Sequence, residues 1–121
     1  MTSAPLILSV SSTEVLRATR QLLLEQAGFS VFSVSEVAEL EKVKEARKPA
    51  LAVIGHGLPG PEKRKFALAL NKKFPGLPIL EMCYHSPEIP GADFVFADSP
   101  EKLLAAVRGV LAGTRVRGFL P

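Results

Sequence analysis

The sequence predicts one α/β domain built around a doubly wound parallel sheet, and two observations carry this prediction. Short apolar runs alternate with segments whose apolar residues recur at helical spacing, a pattern typical of parallel strands joined by crossover helices. One run, Leu51–Ile54, is apolar at every position, as expected of a central strand covered on both faces. The length of 121 residues fits a single domain.

The first strand and helix are predicted from the N-terminal 28 residues. The run Leu6–Val10 is rich in branched apolar residues, and Ser11 with Glu14 forms a capping-box pattern that favours a helix start. One buried stripe is then expected along this helix, formed by Val15, Leu16, Thr19, Leu22 and Leu23. Gly28 supplies a left-handed stop after it.

The remaining elements follow from the same criteria. We expect, in order, a strand over 29–34, a helix that begins after Ser35 and ends before Pro49, the strand 51–54, a helix over about 61–74, strands over 77–83 and 92–97, and a last helix that ends at Gly113. Ser99 is the expected N-cap of the last helix, with Pro100 at its first position.

Composition excludes several classes of protein. Hydrophobic residues make up 47% and charged residues 22% of the chain, which is typical of a globular core. The single cysteine, Cys83, excludes an internal disulfide framework, and we expect a cytoplasmic protein. No apolar stretch approaches the roughly 18 residues of a membrane-spanning helix, so no membrane contact is expected.

The net charge of +3 is spread along the chain except for two basic clusters. One lies on the helix 61–74, in Lys63, Arg64, Lys65, Lys72 and Lys73. The other lies in 114–121, which we interpret as a basic C-terminal tail or linker stub after a domain spanning 1–113. A solvated helix face and a frayed terminus explain both clusters; contact with an acidic partner or with nucleic acid is the alternative.

Four segments carry a resemblance to a known family: LILSVSSTEVLRATRQLLLEQAGFSVFSV, PALAVIGHGLPG, GLPILEM and GADFVFADSPEKLLAAV. In this order they resemble the receiver domain of bacterial response regulators, over nearly the whole chain to about Ala112. The resemblance implies a flavodoxin-like three-layer sandwich with five parallel strands in the order 2-1-3-4-5. It also implies a role in two-component or phosphorelay signal transduction.

The resemblance further implies where a phosphorylation site would lie, and the residues for it are missing. The family holds Mg²⁺ with an acidic pair after the first strand, accepts a phosphoryl group on an aspartate after the third, and uses a hydroxyl and a lysine after the fourth and fifth. The corresponding positions hold Val10, Ser11, Gly55, Cys83 and Asp98. We therefore expect a pseudo-receiver without a metal, without a cofactor and without catalytic residues.

A second departure from the family concerns the segment 84–90 (YHSPEIP), where the family has its fourth helix. Pro87 and Pro90 oppose a helix, so we expect this helix to be missing or shortened. The resulting candidate interaction face consists of Tyr84, Ile89, Phe94, Phe96 and Lys102. The alternative is that the two phenylalanines pack inward against the last helix.

The function expected from these residues is a phosphorylation-independent receiver-like signalling module. Its partner would be a protein, either a signalling protein or an output domain, and a homodimer is left open. The alternative is a small enzyme or ligand-binding protein with a site around His56 and Cys83 at the carboxyl ends of the strands. Nucleic-acid contact through the helix 61–74 and the basic tail ranks third.

Two catalytic or metal readings of the same edge have weaker support. A hydrolase triad of Ser11, His56 and Asp98 lacks the G-x-S-x-G elbow that would present the nucleophile. A zinc site from Cys83, His85, His56 and Asp98 matches no common ligand spacing, and a buried cysteine that packs as a small apolar residue is favoured.

Overall fold

The structure, a computed structural model, describes residues 4–43 and 47–118. Its elements are β1 (Leu6–Val10), α1 (Glu14–Gln26), β2 (Ser30–Val34), a 3-10 helix (Val37–Lys42), β3 (Leu51–Ile54), α2 (Gly60–Lys73), β4 (Ile79–Cys83), β5 (Asp93–Phe96), α3 (Pro100–Leu111) and β6 (Arg117–Gly118). All strands pair in parallel, in the order β2-β1-β3-β4-β5-β6. The predicted fold class is confirmed, with one strand added beyond β5.

The helix boundaries differ from the predictions at two places. Thr13, and not Ser11, is the N-cap of α1 and accepts a hydrogen bond from the Leu16 amide at 3.3 Å, whereas the Ser11 hydroxyl accepts from Arg20. The predicted second α-helix is a 3-10 helix over Val37–Lys42, and residues 44–46 lie outside the described residues. Ser99 caps α3 as predicted and accepts from the Lys102 amide.

Within residues 4–43 and 47–118, no helix is long and apolar enough to cross a membrane.

Two apolar layers cover the two faces of the sheet. On one face α1 and α3 pack against the strands, in a core that includes Ile7, Leu24, Val53, Leu80, Val95, Leu103 and Val107. On the other face α2 and the 3-10 helix do so, in a core that includes Leu8, Val34, Leu40, Ile54, Phe66 and Leu70. The run predicted as a strand covered on both faces is β3, and it is buried at every position.

The fourth helix of the family is absent, as predicted: residues 84–92 form turns and bends. Because side chains alternate along a strand and Val95 lies in the α3-side core, Phe94 and Phe96 lie on the opposite face of β5. Both side chains are half-buried there. The alternative in which they pack against the last helix is therefore wrong.

The predicted basic tail is not frayed over 114–118, because Arg117 and Gly118 form β6 at the sheet edge. The Val116 side chain is fully buried in the α3-side core, and the Phe94 amide donates to the Val116 carbonyl at 3.0 Å. The Val116 amide donates to Asp93 Oδ1 at 2.7 Å. Arg117 donates to the Ala92 carbonyl at 2.9 Å, so this basic side chain binds the chain's own sheet edge.

Candidate functional site

The carboxyl ends of β1, β3, β4 and β5 meet at one edge of the sheet, which places the positions singled out in the sequence close together. The Gly55 amide donates to the Val10 carbonyl at 2.9 Å, so the ends of β1 and β3 are direct neighbours. The Val10 side chain packs in the α2-side core. Only the buried Ser11 presents a polar side chain from this pair of positions to the edge.

The position above Gly55 is occupied by the guanidinium of Arg20, which comes from the middle of α1. Arg20 Nη1 donates to the Val10 carbonyl at 3.0 Å and to Ser11 Oγ at 2.6 Å. A Cβ atom built on Gly55 would lie 2.8 Å from Nη1 and 2.9 Å from Nη2 of Arg20. The same Cβ would lie 2.9 Å from the Val10 carbonyl oxygen, so a side chain at this position would meet both the arginine and the backbone of β1.

Arg20 is a buried positive charge with no acidic partner in the part of the chain that the structure describes. Its relative exposure is 4%, and burial lowers its pKa to about 10, so it remains protonated at neutral pH. Its hydrogen-bond acceptors are the uncharged oxygens of Val10 and Ser11. A metal cation at this place would be repelled by the fixed positive charge.

His56 follows Gly55 and borders the same edge. Its Nδ1 atom is buried without a hydrogen-bond partner among the described residues, and its ring meets the Tyr84 ring edge to face at a centroid distance of 4.8 Å. Burial lowers the pKa of His56, and the positive charges of Arg20 and Lys63 lower it further. The imidazole is therefore neutral at neutral pH.

The lowered pKa of His56 makes the stability of the protein depend on pH. An unfolded chain protonates His56 as the pH falls through about 6.5, whereas the folded chain does so only at lower pH. The unfolded state then binds more protons, so stability decreases as the pH is lowered from neutral. We expect urea midpoints of His56→Gln to fall less than those of the wild type over this window. An unchanged pH dependence in His56→Gln would contradict this, and His85→Gln, at an exposed histidine, is the control.

A buried ion pair beside the edge was not predicted from the sequence. Glu81 on β4 is fully buried and accepts a hydrogen bond from Lys63 Nζ of α2 at 2.8 Å. Lys63 Nζ also donates to the Met82 carbonyl at 2.8 Å. The Glu81 carboxylate further accepts from the amides of Glu88 and Ile89, each at 2.9 Å. This one carboxylate therefore fixes the segment that replaces the fourth helix.

These contacts correct the predicted nucleic-acid surface. Lys63 is buried, with a relative exposure of 3%. Arg64 pairs with Glu88 at 3.1 Å, and Arg115 with Asp93 at 3.4 Å. Several of the basic side chains predicted to form a surface for phosphates are thus engaged within the protein itself.

The remaining predicted site residues are not brought together into a catalytic or metal centre. Burial raises the pKa of the Cys83 thiol, the nearby Glu81 raises it further, and Cys83 Sγ lies 3.8 Å from the Val95 carbonyl. Asp98 pairs with Lys102 at 2.7 Å near the surface, while Ser11 is bound to Arg20. Across residues 4–43 and 47–118, no group of three or more His, Cys, Asp or Glu side chains is placed to hold a metal ion.

The predicted interaction face is only partly exposed. Tyr84 is 63% exposed, and Lys102 is exposed beside Asp98. Ile89 was predicted as an exposed contact, but its side chain packs in the α2-side core and its amide donates to the Glu81 carboxylate. Phe94 and Phe96 pack edge to face with each other, at a centroid distance of 5.9 Å, on the part of the sheet without a helix. The Arg117 guanidinium of β6 lies over the Phe94 ring, 5.1 Å from its centroid, and both phenylalanines are half-buried. We call these two side chains the uncovered β5 face, because the absent fourth helix leaves them without a helix above them.

The close approach at Gly55 predicts a destabilising effect of a single methyl group. In Gly55→Ala the new Cβ would lie 2.9 Å from the Val10 carbonyl oxygen as well as against the Arg20 guanidinium. Such overpacking costs about 1–3 kcal/mol of unfolding free energy, measurable by urea denaturation. In the Arg20→Met background the cost of Gly55→Ala should be smaller, because the hydrogen-bonded guanidinium is replaced by an uncharged, flexible side chain and only the Val10 carbonyl oxygen stays as a fixed obstacle. Equal costs in both backgrounds would show that the arginine does not occupy this space.

Comparisons with known proteins agree with the architecture. A receiver domain protein from Methanospirillum hungatei JF-1 matches with a TM-score of 0.75 and 21% identity, covering 92% of this chain and 96% of that chain. A LuxR-family two-component response regulator from Aurantimonas sp. SI85-9A1 has a TM-score of 0.77 and 22% identity, covering 96% and 91%. The chemotaxis response regulator CheY4 of Vibrio cholerae has a TM-score of 0.73 and 24% identity, covering 88% and 98%.

The sequence comparisons give no match: no protein-family model matches the chain, and no curated protein is significantly similar to it in sequence. The likeness to receiver domains therefore lies in the fold. The structural neighbours are receiver domains of the CheY type, so the resemblance noted in the sequence is confirmed at the level of the fold.

Proposed function

We propose that this chain is a phosphorylation-independent receiver-like module that regulates through contact with a protein partner. The observation that carries the proposal is the Arg20 guanidinium above Gly55. Phosphotransfer at this place needs an oxygen nucleophile and a bound cation to offset the developing charge. Gly55 offers no nucleophile, and Arg20 supplies a fixed charge that needs no metal. The module therefore does not switch between a phosphorylated and an unphosphorylated state, and no residue is assigned a catalytic role.

The proposed contact surface is the uncovered β5 face together with Tyr84. Phe94 and Phe96 are half-exposed at the place of the absent helix, and Tyr84, which follows β4, is 63% exposed. Exposed aromatic side chains are enriched at protein interfaces. The proposed partner is a cytoplasmic signalling protein or an output domain, and a second copy of this chain is the alternative.

The first experiment incubates the protein with Mg²⁺ and radiolabelled acetyl phosphate. We expect no incorporation of label, whereas a receiver domain with its acceptor aspartate, treated in parallel, is labelled. Stoichiometric labelling of this chain on any aspartate would overturn the proposal.

The second experiment tests the contact surface by affinity capture from cell extract. We expect Phe96→Lys and Tyr84→Lys to lose the partner that the wild type retains, because each introduces a charge into the apolar surface. Leu22→Lys is the matched control, since Leu22 is an exposed apolar residue of α1 with a relative exposure of 58%. Retention of the partner by both variants would contradict the assigned surface.

A further inference from the structure

A cavity of about 270 Å³ opens between α1 and α3 at the carboxyl ends of the strands. Its wall is mostly apolar and includes Leu16, Leu23, Met82 and Leu103. Arg20 and His56 also line it, and so does Asp98, which is ion-paired with Lys102. The volume lies just below the roughly 300–1,000 Å³ of sites for drug-sized ligands, so the cavity suits a smaller molecule.

Arg20 gives this cavity a charge that the protein does not neutralise. A guanidinium carries N–H donors on all three of its nitrogens. Both hydrogen bonds of Arg20 within the described residues come from Nη1, which leaves Nη2 and Nε for another acceptor. A buried charge without a counter-ion is costly, and a planar guanidinium pairs best with a carboxylate that accepts two bonds side by side.

A second cavity provides a comparison for the unpaired charge of Arg20. A cleft of about 640 Å³ at the opposite edge of the sheet is also lined by arginines, Arg64 and Arg115. Both are paired there with carboxylates, Arg64 with Glu88 and Arg115 with Asp93. Among the described residues that line the two cavities, Arg20 is the arginine whose charge has no acidic partner.

We propose that the cavity between α1 and α3 binds a small organic carboxylate with a compact apolar body. The carboxylate would pair with the Arg20 guanidinium, and the body would lie against Leu16, Leu23 and Leu103. The neutral His56 ring forms part of the same wall and adds no competing charge at neutral pH. This inference goes beyond the proposed function, because contact with a protein partner would stand without any ligand.

The test uses isotope-labelled protein of residues 1–121 and benzoate as the probe, with binding followed by amide and arginine Nε–H NMR shifts. We expect saturable shifts at Arg20, His56 and Leu103, and binding at least about 10-fold weaker in Arg20→Gln, the equivalent of 1.4 kcal/mol. Benzamide, which has the same shape without the charge, should bind more weakly by a similar factor. Arg17→Gln is the matched control, because Arg17 lies on the same helix and donates to the Ser33 carbonyl outside the cavity.

Three outcomes would contradict the proposal that the cavity binds a carboxylate through Arg20. An absence of shifts with benzoate, or equal binding of benzoate and benzamide, would overturn it. Should Arg20→Gln fail to fold, Arg20→Lys keeps the charge and loses the planar fork, and equal benzoate affinity in that variant would also overturn it. The acetyl phosphate experiment is separate, since failure of benzoate to bind leaves the absence of phosphorylation unchanged.

Discussion

Replacing Lys63 by methionine will lower the free energy of unfolding by about 3–5 kcal/mol, the usual cost of breaking a buried ion pair on one side. Lys63 and Glu81 have relative exposures of 3% and 0%, and their charged atoms lie 2.8 Å apart. Methionine preserves the apolar stem of the lysine and removes its charge. The Glu81 carboxylate then stays buried with only backbone amides as partners.

Two further variants separate the charge from the packing. Arg64→Met changes the neighbouring residue, whose ion pair with Glu88 is half-exposed, and should cost less than about 1 kcal/mol. The double variant Lys63→Met/Glu81→Leu should cost less than Lys63→Met alone, because no unpaired charge remains buried. Urea denaturation at neutral pH measures all three. A cost below about 1 kcal/mol for Lys63→Met would show that the pair does not stabilise the fold.

The same double variant also tests what Glu81 does for the segment after β4. Its carboxylate is the acceptor for the amides of Glu88 and Ile89, so replacing it by leucine leaves both donors without that partner. We expect hydrogen exchange at these two amides to be faster in the double variant than in the wild type, with a smaller change at the Leu80 amide within the sheet. Equal protection of the two amides in both proteins would contradict the role of Glu81 as the anchor of the segment.

The fold could be predicted from the sequence because each of its signals is local. The apolar run of β3, the serine and proline that start α3, and the prolines of 84–90 each act within a few residues. These signals fixed the order of elements and the absence of the fourth helix. The same local signals predicted an α-helix after Ser35, and there the prediction was wrong, because the segment Val37–Lys42 is a 3-10 helix.

The content of the site could be predicted only in part, since it depends on distant residues. The resemblance placed the missing acceptor at Gly55, but nothing local indicated that Arg20, 35 positions earlier, fills the space above it. The predicted buried stripe of α1 was wrong, because Val15 and Leu22 are exposed and the buried residues of this helix are Arg20 and Leu24. A usable signal existed for Glu81, because a single carboxylate inside an apolar strand requires a buried partner.

The sixth strand was missed although its signal was in the sequence. Val116 lies between Arg115 and Arg117, which is the alternation expected of a short strand with one buried side. Because of the two arginines, this segment was interpreted as a solvated tail, and that interpretation was wrong. In the structure, their side chains lie along the sheet edge and bind the carbonyls of Gly91 and Ala92.

Replacing Val116 by aspartate will release this strand and lower the free energy of unfolding by about 3 kcal/mol, because burial of a valine is lost and a charge enters an apolar core. The Val116 side chain has no exposed surface and packs in the α3-side core near Gly109. Thr114→Asp makes the same change of charge two positions earlier, at an exposed residue, and should leave stability nearly unchanged. Urea denaturation of the two variants makes the comparison.

Release of β6 should also change how copies of the protein interact. The Phe94 amide loses its acceptor, the Val116 carbonyl, and the edge of β5 is left unpaired beside the uncovered β5 face. An unpaired edge next to apolar side chains favours pairing with another chain, so Val116→Asp should self-associate with increasing concentration in sedimentation experiments. Retained protection of the Phe94 amide in a monomeric Val116→Asp would mean that the strand stays in place without its valine. In that case the arginine contacts to Gly91 and Ala92, rather than the apolar core, would be what holds β6 to the sheet.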